Sequence, residues 1–322
     1  MLHGSNSTLA IENMLRRAEN RRQGNTAPDG RKLALVIEGG GMRSVCSGAG
    51  AAALCQLGFS SVFDEVFATS AGVMNASYFI TNQPLVGMSV YFENCATREF
   101  MNPWRFWKLL NVDYIIDRVA AIEKPLDQAT LAASPTQLFI SMCDHRTGEI
   151  IVVDTRATQT PILQVLKAAM AIPVFYNRTV EVDGRRCIDS GTILPFPLDQ
   201  ALERGCTDIL VLLTRPVNFV EKQPPWAMRR IFDMVHRSVG TGLSRAFTLR
   251  HEKSQLMRDL AVGRIAAPPG VNIAAICTEE CDRVESTSTR REVTYAAAVR
   301  YGRKTMQVFG RDPDELMLSG PS

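Results

Sequence analysis

The chain has 322 residues, of which 46% are hydrophobic, and this is enough for one large domain or two small ones with a sizeable core. A formal net charge of +3 is too small to indicate a nucleic-acid-binding protein. The sequence has no apolar run of about 18 residues, which a membrane-spanning helix would need.

Residues 1–31 are a polar N-terminal extension that we expect to be a frayed helix or disordered. This extension lacks an apolar core of signal-peptide length, so the sequence favours a cytoplasmic protein. We expect residues 32–322 to form a single domain that ends in a helical segment from about residue 215. The sequence leaves the oligomeric state open.

Cysteine spacing argues against a metal or redox site. None of the eight cysteines is part of a C-x-x-C pair, so neither a zinc site nor a thioredoxin-like motif is indicated. Several lie in apolar stretches, where a free cysteine packs as a small hydrophobic residue. We therefore expect reduced thiols in the core and no metal.

The stretch from residue 33 to 75 predicts strand, glycine loop, helix, strand, serine turn and helix. Leu33–Ile37 is an apolar run typical of a buried strand, and Gly39, Gly40 and Gly41 follow it almost at once. Glycines leave backbone N–H groups uncovered and permit a positive φ. A second predicted strand at 65–68 runs into Thr69, Ser70, Ala71 and Gly72, small residues that suit a sharp turn with an exposed hydroxyl.

Further along, the pattern predicts paired strands and then alternating strands and helices. Strand-like runs at 137–143 and 149–154 flank a turn, and Asp183-Gly184 predicts a second hairpin, whose outgoing strand ends at Asp189. Buried strands are expected at 208–213 and 271–276, and helices between them. This order predicts an α/β fold, a three-layer α/β/α sandwich with a mainly parallel central sheet.

Two other stretches suggest lipid contact. The aromatic residues Phe100, Trp104, Phe106 and Trp107 either line an acyl pocket or form a small core beneath a cap segment. Residues 215–264 contain ten Lys or Arg against four Asp or Glu. Residues 226–262 are expected to form one or two long helices. Their basic and aromatic face is either an ordinary solvated surface or a site of peripheral contact with an anionic membrane.

Three motifs, in this order, resemble the patatin-like phospholipases. Gly39-Gly40-Gly41-Met42-Arg43 resembles their G-G-G-x-R oxyanion loop, and Ala68-Thr69-Ser70-Ala71-Gly72 resembles their G-x-S-x-G nucleophile elbow with alanine at the first position. Asp189-Ser190-Gly191 resembles their Asp-Gly-Gly or Asp-Gly-Ala motif, with serine at the middle position. The likeness extends from about residue 32 to 310.

The resemblance implies a serine acyl hydrolase that acts on lipid esters such as phospholipids, lysophospholipids or acylglycerols and requires no cofactor. Ser70 would be the nucleophile and Asp189 its base, in a dyad that works through an acyl-enzyme. The N–H groups of residues 39–42 would hold the oxyanion, and Arg43 would fix that loop or its charge.

Other interpretations remain open. An α/β-hydrolase triad would combine Ser70 and Asp189 with His236 or His251, which follow in the chain order of that family. A catalytically weak or inactive lipid-binding or regulatory module would account for Ala68 and Ser190. A nucleotide-binding glycine loop is disfavoured because neither G-x-G-x-x-G nor G-x-x-x-x-G-K-[ST] is present.

Overall fold

A computed structural model describes residues 2–105, 108–173, 175–176, 178–194, 196–235, 241–287 and 290–318. The strands are β1 (Leu33–Ile37), β2 (Glu65–Thr69), β3 (Gln137–Asp144), β4 (Ile150–Asp154), β5 (Val180–Val182), β6 (Arg185–Asp189), β7 (Asp208–Leu212) and β8 (Asn272–Ile276). The α-helices are α1 (Ser7–Arg22), α2 (Ser44–Gln56), α3 (Gly72–Ile80), α4 (Pro84–Ser89), α5 (Gln128–Ala133), α6 (Ile162–Ala169), α7 (Leu198–Glu203), α8 (Trp226–Val235), α9 (Thr241–Ala261) and α10 (Arg291–Val308). Wider, π-type helical turns cover Val90–Cys95 and Tyr114–Glu123.

The strands form one sheet in the order β5-β6-β3-β2-β1-β7-β8, and β4 pairs with β3. Five of them, β3, β2, β1, β7 and β8, are parallel neighbours, whereas β4, β5 and β6 are antiparallel. Both predicted hairpins are present. The expected mainly parallel sheet is therefore confirmed.

Successive side chains of β1 pack in two different cores, which shows that helices cover both faces of the sheet. Leu33, Leu35 and Ile37 belong to the larger core, together with residues of α2, α3, α6 and α10. Ala34 and Val36 belong to a second core, together with residues of α7 and α9. Since a strand presents successive side chains to opposite faces, the fully buried β1 requires a helical layer on each side. The expected three-layer α/β/α sandwich is confirmed.

The N-terminal segment differs from our expectation of fraying or disorder. Ala10, Met14 and Ala18 are spaced four residues apart along α1 and are buried in the larger core. The buried Arg17 forms ion pairs with Asp29 and Asp64, each 2.5 Å long. These ion pairs bury a polar side chain of the N-terminal segment, although the polar composition of that segment suggested exposure to solvent.

The basic segment near the C-terminus forms two helices, α8 and α9, which agrees with the expectation of one or two. Phe232 of α8 stacks on Phe247 of α9 with ring centroids 4.2 Å apart.

Of the predicted aromatic cluster, Trp104 is 81% exposed and so is not part of a core, while Phe106 and Trp107 lie outside the described residues. No helix in the described part of the chain is both long and apolar enough to cross a membrane.

Candidate active site

Ser70 occupies a strained turn between β2 and α3. Its φ is +52°, a value that non-glycine residues rarely adopt, and its side chain is largely buried. The parallel pairing of β1 with β2 brings Ser70 to the same edge of the sheet as the glycine loop that follows β1. The predicted serine turn therefore lies beside the predicted oxyanion loop.

Close backbone approach explains why glycines are needed at this edge. A Cβ atom on Gly39 would lie 2.5 Å from Ser70 Cβ and 2.6 Å from the Thr69 carbonyl oxygen. A Cβ on Gly72 would lie 2.9 Å from the Ile37 carbonyl oxygen. Ala68, in contrast, is fully buried within β2, where its methyl group packs in the larger core. The alanine at this motif position is thus accommodated without disturbing the turn.

Asp189 contacts Ser70 directly. The Ser70 hydroxyl donates a 2.6 Å hydrogen bond to Asp189 Oδ2, while the Gly191 N–H donates a 2.7 Å bond to Oδ1. The carboxylate is 2% exposed, and burial raises its pKa to about 6 even though both hydrogen bonds and nearby Arg250 lower it. At neutral pH Asp189 is therefore ionised and remains a stronger base than an ordinary carboxylate.

Ser190 has a packing role that its sequence position did not reveal. Its hydroxyl donates to the Ser141 carbonyl oxygen at 2.8 Å and shares a short hydrogen bond with Thr69 Oγ1. Because the single Ser190 proton is used on Ser141, Thr69 is the donor in that second bond. The serine that replaces glycine in this motif thus joins the end of β2 to the turn that carries Asp189.

The glycine loop leaves some of its N–H groups available. Within the described chain, the N–H groups of Gly39, Gly40 and Gly41 have no acceptor. The Met42 N–H instead donates to the Ser286 carbonyl oxygen at 3.0 Å. The Met42 N–H is thus engaged in this conformation, whereas the three glycine N–H groups are available to a ligand.

A buried charge cluster that we did not predict holds this loop. Glu38 immediately precedes the glycines and is 2.7 Å from the guanidinium of Arg258, whose side chain is fully buried. The Thr214 N–H also donates to Glu38, and the Thr214 hydroxyl donates to the Gly39 carbonyl oxygen at 2.9 Å. Arg258 lies 220 residues beyond Glu38, so no local pattern could have indicated the pair.

Two cavities meet at Ser70. One, of about 60 Å³, is lined mainly by apolar side chains, among them Met74, Tyr91, Phe100 and Ile115. Of the two described members of the predicted aromatic cluster, Phe100 lines this cavity. The other cavity, of about 670 Å³, is also bordered by Asp189 and by charged side chains.

Among the described residues, no histidine lies between the two predicted catalytic residues. A triad would place an imidazole between serine and carboxylate, but the Ser70 hydroxyl donates a hydrogen bond directly to Asp189. His251 Nδ1 lies 3.2 Å from the Thr248 carbonyl oxygen, and His236 is outside the described residues. In the described part of the chain, no group of three or more His, Cys, Asp and Glu side chains is arranged to hold a metal ion.

Comparison with known proteins agrees with the motifs. Residues 35–202 match the family model of patatin-like phospholipase. The uncharacterized protein YjjU of Escherichia coli (strain K12) is 31% identical over 206 residues, which cover 62% of this chain and 56% of that protein. The chain therefore spans little more than half the length of this curated relative. The crystal structure of VipD from Legionella pneumophila aligns over 88% of this chain and 67% of that chain, with a TM-score of 0.46 and 14% identity.

Proposed function

Because this chain belongs to the patatin-like phospholipase family, we propose that it is a serine acyl hydrolase that cleaves carboxylic esters of lipids. The observation that carries the proposal is the 2.6 Å contact between Ser70 Oγ and Asp189 Oδ2 beside the glycine loop. A serine hydroxyl is a weak nucleophile unless a base reaches it, and Asp189 is the base within reach.

The proposed reaction proceeds in two halves. Ser70 Oγ attacks the ester carbonyl carbon while its proton passes to Asp189, and the developing oxyanion receives hydrogen bonds from the available N–H groups of the glycine loop, residues 39–41. The tetrahedral intermediate collapses, the bond to the alcohol breaks, and Asp189 returns the proton to the leaving oxygen. A water molecule, deprotonated by Asp189, then attacks the acyl carbon of the acyl-enzyme. The bond from that carbon to Ser70 Oγ breaks, Asp189 returns the proton to Ser70 Oγ, and the fatty acid leaves.

The surroundings of Ser70 favour an ester with an apolar acyl group. The smaller cavity begins at Ser70 and Ala71 and is bordered by Met42, Met74 and Met170. Methionine side chains are flexible and can adapt to chains of different length. In the proposed complex, the acyl chain enters this cavity and the alcohol part of the lipid occupies the larger one.

Helix α8 supports a proposed peripheral contact with anionic membranes. Trp226 is 69% exposed, Met228 48% and Met234 64%, while Lys222 and Arg230 lie nearby along the chain and are also exposed. Met228 also lines the larger cavity, so part of α8 lies beside the cavity that reaches Ser70. Exposed aromatic and apolar side chains beside basic ones suit insertion at a lipid headgroup layer.

A fluorophosphonate probe tests the proposed chemistry. We expect covalent labelling of the wild type, no labelling of Ser70→Ala, and loss of labelling in Asp189→Ala. His251→Ala is the matched control and should label normally, whereas its failure to label would favour a triad. Folded wild-type protein that retains lipid but neither labels nor hydrolyses a soluble ester would instead identify a non-catalytic lipid-binding module.

A further inference from the structure

The peptide that joins Gly39 to Gly40 is held by a side chain from outside the glycine loop. The Thr214 hydroxyl donates a 2.9 Å hydrogen bond to the Gly39 carbonyl oxygen. Thr214 is 1% exposed and lies two residues beyond the end of β7, outside residues 35–202 that match the family model. No step of the proposed reaction uses this contact.

The glycines by themselves do not fix the orientation of this peptide. Glycine populates positive and negative φ almost equally, so a run of glycines prescribes no single conformation. In the folded chain Gly40 has a φ of +157° and Gly41 a φ of +59°. Contacts with neighbouring segments must therefore select this conformation, and Thr214 supplies the contact at the Gly39 carbonyl oxygen.

The order of the strands indicates which way this peptide faces. β1 lies between β2, which leads into Ser70, and β7, which leads to Thr214. A peptide unit is planar and trans, so its carbonyl oxygen and its N–H point in opposite directions. Because the Gly39 carbonyl oxygen is turned to Thr214 on the β7 side, the Gly40 N–H is turned to the β2 side, where Ser70 lies. Among the described residues, this N–H has no acceptor.

Thr214 is itself fixed by the buried charge cluster. Its N–H donates to one carboxylate oxygen of Glu38, and the other Glu38 oxygen lies 2.7 Å from the guanidinium of Arg258. The Glu38 N–H donates to the Leu212 carbonyl oxygen of β7 at 3.1 Å. Because the side chains of Glu38 and Arg258 are buried, water does not compete for these bonds. The Thr214 hydroxyl is therefore held in one place relative to the glycine loop.

We propose that Thr214 is a positioning residue for catalysis, whose hydroxyl holds the Gly39–Gly40 peptide so that the Gly40 N–H donates to the ester oxyanion. This inference rests on the proposed function, because it concerns how the glycine loop serves Ser70. A donor stabilises the transition state most when it already points to the place where charge develops. A glycine peptide that turned freely would have to be ordered during the reaction, at a cost in rate.

Thr214→Val tests the hydroxyl, because valine keeps the shape of the side chain and leaves the backbone N–H on Glu38. We expect kcat for a soluble neutral ester to fall about tenfold while KM stays within about twofold of the wild type, since removal of a whole oxyanion donor costs about 100- to 1,000-fold. Thr214→Ser keeps a hydroxyl and should recover most of kcat. Thr305→Val removes an equally buried hydroxyl from α10 and should change neither constant.

An inhibitor that carries an oxyanion separates positioning from a loss of stability. Ser70 Oγ adds to the carbonyl carbon of an alkyl trifluoromethyl ketone, its proton passes to Asp189, and the ketone oxygen becomes an oxyanion. We expect Thr214→Val to weaken inhibition by this ketone about tenfold, by the same factor as it lowers kcat/KM. The corresponding alcohol cannot form an oxyanion and should inhibit both proteins equally. The ratio between ketone and alcohol is measured within each variant, so any loss of folded protein cancels.

Several results would overturn the role of Thr214. An active wild type together with unchanged kcat/KM and ketone inhibition in Thr214→Val would remove the positioning role and leave the proposed function intact. Equal losses for the ketone and the alcohol would show that Thr214 affects binding of the alkyl chain and not the oxyanion. A loss that Thr214→Ser does not recover would show that the hydroxyl is not the responsible group. Failure of the proposed function is a separate result, seen as a wild type that neither hydrolyses the ester nor adds to the ketone.

Discussion

The hydroxyl of Thr69 donates a hydrogen bond to the hydroxyl of Ser190, and this bond connects the residue before Ser70 to the residue after Asp189. Ser190 in turn donates to the Ser141 carbonyl oxygen on β3. The two hydrogen bonds thereby join the end of β2, the turn after β6 and strand β3 beside the Ser70–Asp189 contact. The bond gives a structural reason for the serine at a position where the family motif has glycine.

Thr69→Val removes this donor while keeping the shape of the side chain. We expect kcat on a soluble ester to fall about tenfold with little change in KM, because the Ser70–Asp189 alignment loosens whereas the substrate pockets remain. Thr136→Val is the matched control. Thr136 is equally buried and donates to the Phe63 carbonyl oxygen, but it lies at the start of β3, away from Ser70. A similar loss of kcat in both variants would mean that the effect is one of general stability.

Asp189→Asn should make the folded protein more stable at alkaline pH. The pKa of Asp189 is raised from 3.8 to about 6, so the ionised form is disfavoured in the fold, and the wild type loses stability as the pH rises from about 4 through 6. We expect the stability advantage of Asp189→Asn to grow by about 1–2 kcal/mol between pH 4.5 and pH 8. Urea denaturation at the two pH values measures it, and a pH-independent difference would contradict the expectation.

The same carboxyl group should control the pH dependence of catalysis. Protonated Asp189 cannot accept the Ser70 proton, so kcat/KM for a neutral ester should rise about tenfold per pH unit below about pH 6 and level off above it. Steady-state rates from pH 4.5 to 8 give the profile. A midpoint near 4 would indicate that the ionised carboxylate is better solvated in the free enzyme than its burial implies.

The exposed face of α8 should respond to salt and to loss of its aromatic residue. Trp226→Ala should bind vesicles of phosphatidylglycerol and phosphatidylcholine about tenfold more weakly than the wild type, and added salt should weaken binding of both proteins. Co-sedimentation with vesicles measures it. Met317→Ala is the control, because Met317 is equally exposed but contacts Gln56 at the far end of α2 from the glycine loop. If binding by wild type did not change with salt, the basic residues would have no role in it.

Local patterns were sufficient to predict much of the sheet and the motifs at its edge. The apolar run of β1, the Asp183-Gly184 turn and the small residues around Ser70 each prescribe a backbone conformation from a few neighbouring side chains. The order and burial of helix α1 were not predicted, since a frayed helix or disorder was expected, because its apolar stripe is narrow. The four-residue spacing of Ala10, Met14 and Ala18 was the available signal.

Other features depend on residues that meet only after folding. The pairing of Glu38 with Arg258 and the approach of Arg250 to Gly191 each join distant parts of the chain. The contact of Ser286 with the Met42 N–H could not be foreseen either, since nothing in the sequence of that loop indicates where it lies. A charged residue in a helix pattern is equally consistent with solvent and with a buried ion pair, so the sequence could not decide between them.

The walls of the larger cavity come from two separate lengths of the chain. The residues proposed to break the ester bond lie between 38 and 191, whereas Phe219, Met228, Phe247 and Arg250 form much of the opposite wall. We therefore expect substitutions at cavity-lining positions such as Met228 and Phe247 to alter substrate preference while the nucleophile and its base stay unchanged. If relatives of this protein differ in their substrates, we expect the differences to lie among the cavity-lining residues of the second half of the chain.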